Sequence, residues 1–296
     1  MRIIRHPKKK KLKGCAVALG TFDGVHRGHK EILTAAAKYA KKNRVASLAI
    51  TFDPHPQQLI VPKRGLKLLT TLAEREELFC AAGIDGVVVF NFRKQLRKLS
   101  ATDFIKKYLV DKLGVSSVFV GFDYAFGRGR AGNIEQLRAL GKKHGFSVEV
   151  VPAIKVKKQI VKSRLIREYV SNGDFAQAIN MLGHAYQLSG KVVSGSGRGK
   201  ILGFPTANIK VADNKLIPAH GVYAGYWNKQ KCVVNIGARP TFGINETAIE
   251  VHILKFKRNI RGKELEVFLT KRLRDERQFS DVEKLKKQIG KDIKRA

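Results

Sequence analysis

Two histidines three residues apart, His26 and His29, stand among glycines in Gly20-Thr-Phe-Asp-Gly-Val-His-Arg-Gly-His29. Imidazoles at that spacing share one helix face and can donate to a single phosphate chain. The run before them, Cys15–Leu19, is apolar and reads as a buried strand. The run after them puts Ile32, Leu33, Ala36 and Tyr39 on one side of an amphipathic helix. The histidines therefore open the first helix after the first strand, where unpaired N–H groups and the positive helix end attract phosphate. Gly20, Gly24 and Gly28 let the chain turn tightly against a ligand. A nucleoside triphosphate suits this arrangement. Taken without its neighbours, an H-x-G-H sequence would suit a helix cap or a metal site; strand, glycine turn and helix in that order favour phosphate.

A second constellation lies further on, in Gly195-Ser-Gly-Arg-Gly-Lys-Ile-Leu-Gly-Phe-Pro-Thr-Ala-Asn208. Its glycines give a loop whose N–H groups can wrap phosphates. Thr206 and Asn208 alternate along an extended segment, so both project to one face. Their oxygens suit Mg²⁺, although a polar turn beside a strand would carry the same residues. Glu250 begins an otherwise apolar strand in which His252 shares its face. A carboxylate near the interior or mouth of a barrel would take a proton from an alcohol attacking phosphate; on spacing alone, a solvent-facing Glu is the simpler reading.

Different scaffolds must position the two sets. Strands over Val45–Phe52, Gly86–Phe90, Ser117–Gly121 and Phe146–Val151 alternate with helices over Thr71–Ala82, Ala101–Leu113 and Asn133–His144. That alternation predicts a parallel, doubly wound sheet whose ligands bind at the carboxyl ends of its strands. The motifs Gly20–His29, Thr51-Phe-Asp-Pro-His-Pro56 and Gly121–Gly127 fall there. Two short helices follow, Ser163–Val170 and Phe175–Leu182. From Gln187 the pattern becomes six short strands, over 188–193, 206–211, 221–227, 232–236, 249–256 and 264–269, which predict a small closed barrel. Asp281–Lys294 reads as a closing helix. The domain boundary is expected near Tyr186, giving domains 1–185 and 186–296.

At 296 residues the chain is long enough for two cores. No apolar run approaches a membrane span. Cys15, Cys80 and Cys232 are odd in number and far apart, which predicts buried thiols in a reducing cytoplasm rather than a disulfide framework or a zinc site. The formal charge of +34 is spread over both halves, with Lys8–Lys13 the one dense run. Without a recognition-helix or RNP-type motif, that charge predicts anionic substrates and loose, salt-sensitive polyanion binding.

In order, the motifs GTFDGVHRGH, TFDPHP, GFDYAFGRGRAGN, LGFPTAN, GVYAG, NIGARPTFG, IEVHIL and LRDERQF cover the chain from Arg2 to the last helix. The chain thereby resembles the bacterial bifunctional riboflavin kinase/FAD synthetases. The resemblance implies a Rossmann-like nucleotidyltransferase domain that adenylylates FMN and a six-stranded barrel kinase that phosphorylates riboflavin, with ATP, riboflavin and FMN as substrates, FAD as product and Mg²⁺ as cofactor. It implies that His26 and His29 hold ATP phosphates with Gly20, Phe22, Asp23, Gly28, Ser163, Arg164 and Arg167. It assigns Gly195, Gly197 and Gly203 to the kinase's ATP, Thr206 and Asn208 to metal and phosphate, and Glu250 to the base role. Asp53, His55, Pro56, Asp123, Phe126 and Arg274 would contact flavin.

The chain departs from the family at one place. Lys162-Ser-Arg-Leu-Ile-Arg167 stands where the family carries Ser-Ser-Thr-x-Ile-Arg. Lys162 and Arg164 bring charge that neutralises phosphate, but also bulk. Two further readings therefore stand beside the bifunctional one: a riboflavin kinase with an impaired α/β half, and a polyanion-binding protein on this scaffold.

Overall fold

The chain divides into two units between Lys162 and Ser163 in a computed structural model that describes residues 2–5, 14–62, 65–195, 197–241 and 244–296. The basic run Lys8–Lys13 lies outside the described residues.

The first unit contains β1 (Arg2–Arg5), β2 (Cys15–Leu19), α1 (Arg27–Asn43), β3 (Ala46–Phe52), α2 (Pro56–Ile60), α3 (Leu72–Ala81), β4 (Gly86–Phe90), α4 (Lys94–Arg97), α5 (Ala101–Phe104), β5 (Ser117–Gly121), α6 (Ile134–His144), β6 (Ser147–Val151) and the small pair β7 (Lys155–Val156) and β8 (Gln159–Ile160). β1 to β6 form one parallel sheet in the order β1-β4-β3-β2-β5-β6. Both faces are covered, so alternate residues of β2 enter different cores. Cys15, Val17 and Leu19 pack with Phe104 and Leu137, while Ala16 and Ala18 pack with Ile32, Leu33 and Phe79. The strand order reverses about β2, which puts a crevice at the carboxyl ends of β2, β3 and β5.

One element differs in kind from the expected helix over 101–113. After α5 the chain winds as a π-helix over Ile105–Leu113. The buried Ile105, Leu109 and Leu113 recur every fourth residue, and the wider i→i+5 winding keeps all three on the sheet.

The second unit opens with α7 (Ser163–Asn172) and α8 (Phe175–Leu182), followed by β9 (Tyr186–Val193), α9 (Arg198–Ile201), β10 (Ala207–Val211), β11 (Gly221–Trp227), β12 (Gln230–Thr241), β13 (Ile244–Ile253), β14 (Glu264–Arg274) and α10 (Val282–Arg295). Its six strands close into an antiparallel barrel in the order β10-β13-β12-β11-β14-β9. The units part before α7, not near Tyr186, because α7 and α8 pack on the barrel. Phe175 meets Tyr223 at 5.0 Å and Tyr186 at 6.1 Å, and the Ala219 N–H donates to the Val170 carbonyl at 3.1 Å.

β12 and β13 are longer than expected, pairing without a break from Cys232↔Ile253 to Thr241↔Ile244. One face of this ladder, with Cys232, Val234, Ile236, Ile249, Val251 and Ile253, is buried. The other carries Val233, which packs with Val222, Ala224, Leu273 and Ile293 of α10. Asp292 of α10 is buried and binds Arg274 through contacts of 2.9 and 3.2 Å.

Candidate active sites

In the first unit the chain leaves β2 through Gly20 and enters α1 with His26 as its cap. The Gly20 N–H donates to the Ile50 carbonyl at 3.2 Å, and Gly28 lies in the helix's first turn. The His26 Nδ1 accepts the His29 N–H at 3.3 Å, so the neutral ring carries its proton on Nε2. The two imidazoles stack at 3.6 Å with 15° between their planes. His29 meets the edge of Phe22 at 5.3 Å, and Phe22 meets Phe79 at 5.5 Å. Phe22 is fully buried with φ +53°. It wedges His29 in place and offers no surface to a ligand.

Asp23, expected among the phosphate contacts, is spent elsewhere. It is 1% exposed. Its carboxylate accepts the N–H of Leu69 at 3.1 Å, the N–H of Thr70 at 3.0 Å and the Thr70 hydroxyl at 3.2 Å. The Thr70 oxygen in turn accepts the Gly24 N–H at 2.9 Å. Gly24 has φ +82°, a conformation glycine adopts at little cost. Asp23 therefore fastens the loop; a buried carboxylate would repel a phosphate.

Beneath the loop lies a residue that sequence reasoning misses. Arg75 of α3 is fully buried. Its Nη1 donates to the Thr21 carbonyl at 3.0 Å and to Thr51 Oγ1 at 2.9 Å, and that hydroxyl donates to the Thr21 carbonyl at 2.9 Å. It clamps the carboxyl ends of β2 and β3 together. Burial pushes its guanidinium below the usual range, opposed by the charges of Asp23 and Asp53.

After β3, Asp53 is half-buried, and its N–H donates to the Phe90 carbonyl at 3.0 Å. His55 is 4% exposed and caps α2, accepting the Gln57 N–H at 3.2 Å, with Pro56 as the first helical residue. After β5, Asp123 is exposed and pairs with Lys162 at 3.4 Å. Lys162 also lies 5.4 Å from the Phe122 ring centroid. Phe126, expected at the flavin, is a core residue: it is 5% exposed and stacks on Tyr124 at 5.6 Å. Ser163, Arg164 and Arg167 belong to α7 in the second unit. The Arg164 side chain is 88% exposed and pairs with Glu168 at 2.9 Å.

In the second unit a cavity of about 310 Å³ is lined by Gly195, Gly197, Thr206, Asn208, Lys257, Arg258 and Arg261. Ser196 lies outside the described residues. Asn208 packs so closely on Gly195 that any side chain there would collide with its amide. Gly203 does not line the cavity; it has φ +87° and turns the chain after α9. The basic run 255–263 is visible in the sequence as a charged stretch, but no motif marks it for this cavity.

The pairing registers place a level of residues round the barrel. Asn208 stands opposite Glu250, Glu250 opposite Asn235, Asn235 opposite Val222 and Val222 opposite Arg274. Directly paired residues share a sheet face. Glu250 is half-buried on the face opposite Ile249, Val251 and Ile253, so it stands on the barrel's outer wall, not in its interior. His252, on the same face, contacts the Pro205 carbonyl through Nδ1 at 2.8 Å. Among the described residues no group of three or more His, Cys, Asp or Glu is placed to hold a metal ion. No described helix is long and apolar enough to cross a membrane. Contrary to expectation, Cys80 is exposed; Cys15 and Cys232 are buried.

Comparison with known proteins finds one family in each half of the chain. The family described as FAD synthetase matches residues 8–165, and that described as riboflavin kinase matches residues 182–296. The bifunctional riboflavin kinase/FMN adenylyltransferase of Buchnera aphidicola subsp. Schizaphis graminum is 36% identical over 99% of this chain and 97% of its own length. The protein of the same name from Escherichia coli K12 is 33% identical over 95% of this chain and 91% of its own. A crystal structure described as a macrolide-efflux protein from Streptococcus pneumoniae superposes with a TM-score of 0.87 at 29% identity, covering 99% of this chain and 98% of that one.

Proposed function

The chain belongs to the family of bifunctional riboflavin kinase/FMN adenylyltransferases, phosphorylating riboflavin and adenylylating FMN, and from that premise we propose how its residues divide the two reactions. In the second unit the riboflavin 5′-hydroxyl attacks the γ-phosphate of ATP. The cavity beside β10 takes the phosphates, with N–H groups of the glycine loop and the charges of Lys257, Arg258 and Arg261 around them. Thr206 and Asn208 offer a hydroxyl and an amide oxygen on one wall of that cavity. This donor set fits a Mg²⁺ ion that arrives on phosphates and needs few protein ligands. The ion's part is to neutralise charge on the transferring group. Glu250 takes the hydroxyl proton. Arg274, held by Asp292, is assigned to the flavin side.

In the first unit the FMN phosphate attacks the α-phosphate of a second ATP and displaces pyrophosphate. That nucleophile is already ionised, so the site needs no base for it. His26 and His29 donate to the phosphates, and Lys162 adds charge at the loop after β5. Asp53 and Asp123 are the remaining candidates for the flavin and ribose.

The observation that carries the kinase assignment is the register of Glu250 against Asn208, a carboxylate paired with a residue that lines the cavity. Glu250→Gln keeps the size of the side chain but cannot accept a proton. It should lower riboflavin phosphorylation by about 10²–10⁴-fold and leave FMN adenylylation intact, so the variant makes FAD from FMN but not from riboflavin. A kinase rate within a few-fold of the parent would remove Glu250 from the base role.

A further inference from the structure

We propose that Asn235 positions the acceptor in the kinase reaction, binding hydroxyls of the polyol chain so that its primary alcohol meets Glu250. This rests on the reading of Glu250 as the base. Asn235 lies mid-strand in β12, between the fully buried Val234 and Ile236, although asparagine is depleted in strands. It is half-buried, and its amide makes no hydrogen bond with any described residue. Its side chain therefore adds no bond to the barrel among the described residues, and the amide's donors and acceptor remain for a ligand or water.

Its place in the ladder says which ligand. Asn235 is paired with Glu250, which is paired on its other side with Asn208 at the phosphate cavity. In phosphoryl transfer the attacking and leaving oxygens lie roughly in line. With the donor on the Asn208 side, the alcohol approaches Glu250 from the Asn235 side. A neutral amide suits that position. Asn235 and Glu250 stand directly across the ladder, with Cβ atoms about 4.5–5.5 Å apart. An amide both donates to and accepts from vicinal hydroxyls without altering the charge of the base.

The test uses the full chain, with the kinase's KM for ATP as the control for folding of the barrel, since FMN adenylylation reports on the first unit alone. Asn235→Ala should lower kcat/KM for riboflavin by about 10- to 100-fold, as expected for lost orientation, with KM for ATP unchanged. Asn235→Thr puts a hydroxyl in place of the amide, suits a strand, and should fall between Ala and the parent in kcat/KM. It takes the place of Asn235→Ala should that variant not fold. The proposal is overturned if the Ala variant stays within threefold of the parent. It is overturned equally if the loss falls on KM for ATP as much as on riboflavin, which would leave Asn235 a packing residue. Failure of the base reading is separate: it is registered by Glu250→Gln alone, with Asn235 intact.

Discussion

In the first unit the residues at the head of α1 rest on a network sunk beneath them. Phe22, Asp23 and Arg75 are 0%, 1% and 0% exposed, and their bonds run to backbone groups of the loop and of neighbouring segments. In the second unit Asn208, Glu250 and Asn235 stand side by side on an outer barrel face, positioned by strand register. The difference follows the nucleophiles. A phosphate arrives ionised, so the first site has only to hold two anionic chains in register, and fixed donors on a helix start do that. An alcohol arrives protonated, so the proposed second site needs a carboxylate in register with the wall of the cavity beside β10.

That contrast breaks if one unit's chemistry depends on the other's residues. His29→Ala removes a ring from the stacked pair but leaves the cap His26, Phe22 and the buried network in place. Loss of one preorganised donor should cost adenylyl transfer about 10²–10³-fold, while riboflavin phosphorylation by the same protein stays at the parent rate. Separate assays of FMN formation and FAD formation read the two effects. Equal loss of both in a folded protein would contradict the assignment of His29 to one reaction.

The two glycine loops were legible because each is local: glycines, polar side chains and the strand or helix beside them fall within some ten residues. The tasks of Asp23 and Arg75 were not, because they depend on partners such as Thr70 and Thr21, 47 and 54 residues away. In sequence, Asp23 sits in a phosphate motif like any ligand; only Leu69 and Thr70 folding over it make it a fastener. Asn235 was hidden for a related reason. Its significance lies in standing opposite Glu250, and register across a barrel is not written in either strand. The compact units part before Tyr186 although α7 and α8 continue the helical pattern of the first half, because Phe175 commits them to the barrel.

A smaller effect tests how the charge of +34 is distributed. Against α10, Arg274, Arg277, Lys291, Lys294 and Arg295 line a cavity of about 410 Å³. Asp292 occupies Arg274, and among the described residues the other four have no ion-pair partner. Mixed-sequence RNA and DNA should bind weakly at low salt and be released at physiological salt. Lys291→Gln with Lys294→Gln and Arg295→Gln should reduce the salt slope by about one for each phosphate-binding cation removed. Salt-resistant preference for one sequence would show a dedicated nucleic-acid surface instead.

The smallest expected effect compares the units through their thiols. Each holds one buried cysteine, Cys15 in β2 and Cys232 in β12, and burial pushes each thiol from its usual 9.0 up to about 12. Cys80 on α3 is exposed. At pH 8, a thiolate-selective reagent should therefore modify Cys80 alone, giving one equivalent per chain, since the thiolate is the reacting species. Raising the pH reverses this protection with a definite sign. Below about 9 the folded and unfolded states both keep these two protons, and burial of the neutral thiols is undisturbed. Between 9 and 12 the unfolded chain releases them while the folded chain does not, so each thiol erodes the stability of its own unit as pH climbs through that window. Mapping which of Cys15 and Cys232 becomes modified first, by peptide mass after a short pulse at successive pH values, would rank the two units by their ease of opening. The first unit packs its sheet on both faces, while the barrel's outer wall at Glu250 and Asn235 is only half-buried, so Cys232 should react first. Simultaneous modification of both would mean that the two units open as one.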